Sequence, residues 1–185
     1  MKATGIVRRI DDLGRVVIPK EKRRTMRIRE GDPLEIYTDR EGEVIFKKYS
    51  PIGELSSFAA QYAETLYKTC GLSVIISDRD AVIASAGVSK KEYADKRLSS
   101  ALEGIIEERS LYTDRLGKER IPAISDGGSH FVSCAMPIIS EGDIIGCVAS
   151  LTDSNPEKQR EPVSEDVESK LIMSAAGFLG RQLEA

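Results

Sequence analysis

The stretch TGIVRRIDDLGRVVIPKEKRRTM, residues 4–26, decides how the N-terminal part of the chain folds. Its first segment, TGIVRRI (4–10), sets Ile6, Arg8 and Ile10 on one side of an extended backbone and Val7 and Arg9 on the other. That alternation predicts a two-sided strand. DDLG (11–14) is built from residues that tolerate turn geometry, and Asp11 is placed either to bond neighbouring backbone amides or to pair with an arginine. RVVI (15–18) is β-branched at three of its four positions and predicts a second strand. Pro19 suits the first position of a helix, where its missing N–H is not needed. PKEKRRTM (19–26) then predicts a helix of about two turns.

Further along, LEIYTD (34–39) and EVIFKKY (43–49) predict two more strands, with Gly42 in the hairpin turn between them. Four short strands and one short helix make a small core for fifty residues. No disulfide or metal staple is visible in the sequence, so this head is expected to fold as a dimer.

Charge sets the head apart. The chain of 185 residues carries a net charge of −3, yet residues 1–50 hold 13 Lys+Arg against 9 Asp+Glu, a net of +4, leaving −7 for the remainder. A basic head on an acidic body points to separate tasks. With 41% hydrophobic and 31% charged residues the composition is that of a globular protein. No apolar run approaches the roughly eighteen residues of a membrane helix, and MKATGIVRRIDD lacks a signal-peptide core, so a cytoplasmic protein without membrane contact is expected. Cys70, Cys134 and Cys147 form no CxxC. Cys134 and Cys147 lie in apolar runs and read as small core hydrophobes. His130 is the single histidine, which leaves too few ligands for zinc, and no metal or cofactor is expected.

SPIG (50–53) reads as the joint, giving a head of residues 1–52 and a body of residues 53–185. Leu55, Phe58, Ala59, Tyr62 and Leu66 recur at helical spacing up to about Thr69. LSVIISD and AVIASAG predict paired strands, followed by a helix over roughly 90–109 and a polar stretch ending in DGGS. HFVSCAMPII and DIIGCVASL predict a second strand pair around SEGD. TDSNPEKQREP reads as a loop, and Ser164 as the cap of a last helix with Glu165 and Asp166 in its first turn. Gly177 and Gly180 on that helix would permit close approach of a neighbour. The fold class is α+β, with helices packed on an antiparallel sheet.

On residues 4–49 the motif GIVRxIDxLGRVVIPxExR closely resembles the AbrB family of bacterial transition-state regulators. The remainder, through SVIISDRDAVIASAG, SKKEY and AAGFLGRQLE, resembles the GAF-like sensor domain that accompanies such a head in sporulation regulators. The resemblance implies an intertwined, swapped-hairpin dimer that binds double-stranded DNA, and a GAF-like domain that either senses a small molecule or joins the dimers into a tetramer. It further implies an activator and repressor of late sporulation genes, working at the nucleoid in the forespore.

Double-stranded DNA presents a dense line of phosphates, so its reader needs cations on one face. The resemblance points to Arg8, Arg15, Arg23 and Arg24 as the contacting set, with Arg9 in support. Arginine's planar fork suits phosphate and guanine edges. Lys22 stands where the family usually has an aliphatic residue. Helical spacing pairs position 22 with Met26, so a lysine stem lies where an apolar contact is usual, which either weakens the small helix or adds a cation to the DNA face. No long recognition helix is present, so DNA shape is expected to share in selection. In the body, polar residues around a pocket would include Ser77, Asp78, Ser85 and Ser133, although a domain that only packs and oligomerises fits the residues equally well. No catalytic arrangement is found: GxSxG, P-loop and HExxH motifs are absent, and His130, after DGGS in an expected turn, reads as an ordinary polar residue. The rival reading is an antitoxin-like module using the same head to bind a protein. It predicts a short disordered tail where this chain has a folded body.

Overall fold

The computed structural model describes residues 5–114, 119–155 and 163–184. They divide into two compact units, residues 1–49 and 50–185. The expected boundary after residue 52 falls inside a short helix of the second unit.

In the first unit, Asp11, Asp12, Leu13 and Gly14 make a tight turn closed by Gly14 N–H donating to the Asp11 carbonyl (3.0 Å) and Asp11 N–H donating to that of Arg15 (3.1 Å). Gly14 has φ +76°, a conformation natural to glycine. The flanking segments 5–10 and 15–18 do not form strands, contrary to expectation. A strand is defined by ladder bonds to a second strand. Among the described residues these segments make none, and Val7, Ile10, Leu13, Val16 and Val17 are all exposed, Val7 at 89%. The helix α1, Lys20–Thr25, starts one residue later than predicted, with Pro19 as its cap position. It ends as Arg27 turns left-handed (φ 53°) and Ile28 N–H reaches back to the Arg23 carbonyl (2.8 Å). The antiparallel hairpin of β1 (Leu34–Thr38) and β2 (Val44–Lys48) forms as predicted. Asp39 secures its bend by accepting from the Glu41 and Glu43 amides (3.0 and 2.9 Å).

The second unit opens with α2 (Pro51–Glu54), within and just after the expected joint, and α3 (Ser56–Cys70). Its five-stranded antiparallel sheet has the order β4-β3-β7-β6-β5, from β3 (Ser73–Ser77), β4 (Val82–Ala86), β5 (Tyr112–Thr113), β6 (His130–Ser140) and β7 (Asp143–Asp153). The predicted helix over 90–109 is two pieces, α4 (Lys90–Tyr93) and α5 (Ser100–Glu107). Asp95 at φ 56° breaks it, and residues 97 and 98 bridge instead to Ala81 and Ile124. Ser99 restarts the helix by accepting from Leu102 N–H (3.0 Å). The last helix, α6 (Glu165–Gln182), follows Ser164 as predicted, though the Ser164 hydroxyl makes no cap bond. The prolines of the expected loop at 152–162 lie outside the described residues.

Both faces of the sheet are covered. Ala59, Ala63 and Leu66 of α3 and Ile172, Ala175 and Leu179 of α6 pack with Val74, Ile76, Cys134 and Val148 on one face. Leu102, Ile105 and Ile106 of α5, with Tyr93 and Ile124, pack on Ile75, Val132, Ala149 and Leu151 on the other. No helix among the described residues is long and apolar enough to cross a membrane.

Candidate nucleic-acid interface

Asp11 organises the basic head. One carboxylate oxygen, Oδ1, accepts from the backbone amides of Leu13 (3.0 Å) and Arg15 (2.7 Å). The other, Oδ2, accepts from the Arg15 Nε (2.8 Å). Asp11 therefore takes both of the roles the sequence had left open. The Arg15 amide, then its guanidinium, hold the Asp11 carboxyl below the usual carboxylate range.

The remaining cations are carried by residues 5–10 and α1. Arg8 and Arg9 are exposed on residues 5–10. Lys22, Arg23 and Arg24 crowd the last turn of α1, where cations complement the helix dipole. Arg24 is exposed, while Lys22 and Arg23 are half-buried. Consecutive helical residues fan out by about 100° each, so these three cannot all face one way. Met26 is 49% exposed and so is no buried counterpart to the Lys22 stem. Behind α1 the chain is anchored by Lys48, whose ammonium donates to the Arg27 carbonyl (2.9 Å) and lies 3.5 Å from Asp32 Oδ2. Asp32 in turn accepts from the Arg29 amide (2.8 Å). This brace, between residues far apart in sequence, had no signal in local spacing.

The polar residues expected around a body pocket are scattered in role. Ser77 is buried at the end of β3, and Ser85 lies on the same sheet face, as the partner of Ile75 in the ladder. Asp78 is taken up by its own turn, accepting from the amides of Asp80 (2.8 Å) and Ala81 (2.7 Å). Ser133 is the unpaired residue where the β6–β7 register shifts. His130 is not in a turn. It opens β6 and is buried against Tyr93, with its Nδ1 2.8 Å from Ser129 Oγ and its Nε2 3.6 Å from Asp153. Glu92 joins this cluster by accepting from the Ser129 amide (2.6 Å). Cys134 and Cys147 are buried as expected, and burial pushes both thiols up to about 12, far from reactive thiolates.

The head, with its cations ranged on a pinned turn and a short helix, is joined in sequence to an α+β body with helices on both faces of an antiparallel sheet, so the class is a two-domain α+β protein with a basic head. The family described as stage V sporulation protein T C-terminal, transcription factor, matches residues 54–184, and the antidote-toxin recognition MazE family of bacterial antitoxins matches residues 7–53. Stage V sporulation protein T of Bacillus subtilis (strain 168) is 52% identical over 187 residues, covering 100% of this chain and 99% of that protein. The transition state regulatory protein AbrB of the same organism is 65% identical over 51 residues, 28% of this chain and 52% of AbrB. The GAF domain of an Acinetobacter phosphoenolpyruvate-protein phosphotransferase superposes with a TM-score of 0.55 at 11% identity, covering 72% of this chain and 88% of that one. The body therefore has the GAF fold, and the chain belongs to the stage V sporulation protein T family of transcription factors.

Proposed function

We propose that the chain is a DNA-binding regulator of sporulation genes, activating some promoters and repressing others, at the nucleoid of the forespore. The observation that carries this reading is the exposed, arginine-rich surface of the head, with Arg15 pinned by Asp11 and with Arg8, Arg9, Lys22, Arg23 and Arg24 nearby in the chain. Two heads interlace as a dimer and cover one another's exposed apolar side chains in the 5–18 segment. The dimer then presents each arginine twice, a charge pattern suited to phosphates on a duplex.

The body reports a signal to the head. A small molecule held near Ser77, Asp78, Ser85 and Ser133, or a contact between bodies that makes a tetramer, favours one arrangement of the paired heads over another. The absence of any small molecule that alters body stability or DNA affinity would leave assembly as the signal.

The test is binding of the full chain to a fluorescent A/T-rich duplex across a salt series, beside the double variant Arg15→Ala, Arg23→Ala. With six to ten phosphate contacts, affinity is expected to fall by about 10³–10⁵ between 50 and 200 mM salt. The variant should bind more weakly with a flatter slope. Binding that is weak and indifferent to salt and to these arginines would favour the antitoxin-like reading, in which the head grips a protein.

A further inference from the structure

We propose that Asp11 is a positioning residue for DNA recognition, its carboxylate holding Arg15 in the orientation in which the guanidinium meets the duplex. The proposal rests on the DNA-binding reading of the head. One oxygen of Asp11 builds the turn through the Leu13 and Arg15 amides (3.0 and 2.7 Å), and the other engages the Arg15 side chain at Nε (2.8 Å). The backbone and the side chain of Arg15 are thus fixed by the same carboxylate. A carboxylate seated at Nε occupies the inner edge of the guanidinium and leaves the outer Nη1–Nη2 edge for a second acceptor. The exposures agree: the Arg15 side chain is 69% exposed and that of Asp11 is 34% exposed. An arginine ordered before binding loses less rotamer freedom when it meets its target.

The net charge of Asp11 works in the opposite direction. A carboxylate near phosphates repels them, so electrostatics alone predicts that removing it tightens DNA binding. Positioning predicts that removing it weakens binding. The two accounts differ in sign.

Asp11→Asn separates them. Asparagine keeps an oxygen for the two amides and is at home in turns, but it carries no charge, and its amide nitrogen cannot accept from Nε. Binding of full chains to the A/T-rich duplex at fixed salt is expected to weaken about fivefold, the upper range for an exposed ion pair. In an Arg15→Ala background the same change should strengthen binding, because only the repulsion is then left to remove. Thermal unfolding of both variants accompanies the titrations, and the coupling between positions 11 and 15 cancels any loss of turn stability common to both backgrounds. Equal or tighter binding by Asp11→Asn in the otherwise unaltered chain, or a coupling of zero, would overturn the positioning role alone. A lack of salt-dependent binding by the unaltered chain would overturn the DNA reading, and the positioning role with it.

Discussion

Gly146 and Gly180 mark the closest approaches in the body. A Cβ on Gly146 would collide with the Ser77 carbonyl oxygen of β3, and one on Gly180 with the Ile139 carbonyl oxygen of β6. Backbone cannot step aside as a flexible side chain can. Gly146→Ala is therefore expected to destabilise the body at the upper end of the ~1–3 kcal/mol typical of overpacking, read by denaturant unfolding. Gly177→Ala, whose Cβ meets open space within α6, should be neutral or stabilising in the same assay. The sequence offers two glycines three residues apart on one helix and no means of telling them apart. Within the chain, Gly180 lies against the Ile139 carbonyl while Gly177 faces open space. Asp11 is the opposite case: its place four residues before Arg15, in a turn, already pointed to the two roles it takes.

At the scale of elements, the strands and long helices were legible wherever a pattern ran long enough. β6, β7, α3 and α6 each repeat their apolar period several times, and all four form close to their expected bounds. The expected helix over 90–109 forms as two because its apolar residues continue at helical spacing through a break made by tertiary bridges at residues 97 and 98. Ser99 is the device that restarts it, and Ser99→Ala is expected to cost about 1 kcal/mol, seen as a lower midpoint in urea with an unchanged slope. The 5–10 and 15–18 segments show a different limit. Alternation tells which residues suit a strand and leaves open where the partner strand comes from.

At the scale of the whole molecule, α6 leaves Val167 and Phe178 exposed, about three turns apart and so on one side of the helix. Phe178 is 41% exposed although its ring lies 5.7 Å from those of Phe58 and Tyr62 on α3. An aromatic cluster left open in this way suits contact with a second body. On the proposed tetrameric assembly, sedimentation is expected to show tetramers for the unaltered chain and dimers for Phe178→Glu, with the fold intact by circular dichroism. Tetramers in both would place the assembly contact elsewhere.

The strand order has a consequence for synthesis. β7, residues 143–153, is the centre of the sheet, and β3 and β6 both depend on it for their ladders. A nascent chain that has emerged through β3 and β4 holds two of the five strands with an open edge, and that edge stays open until β7 has been made at residue 153. The head is complete by residue 49 and emerges from the ribosome, still tethered, long before its own body can close.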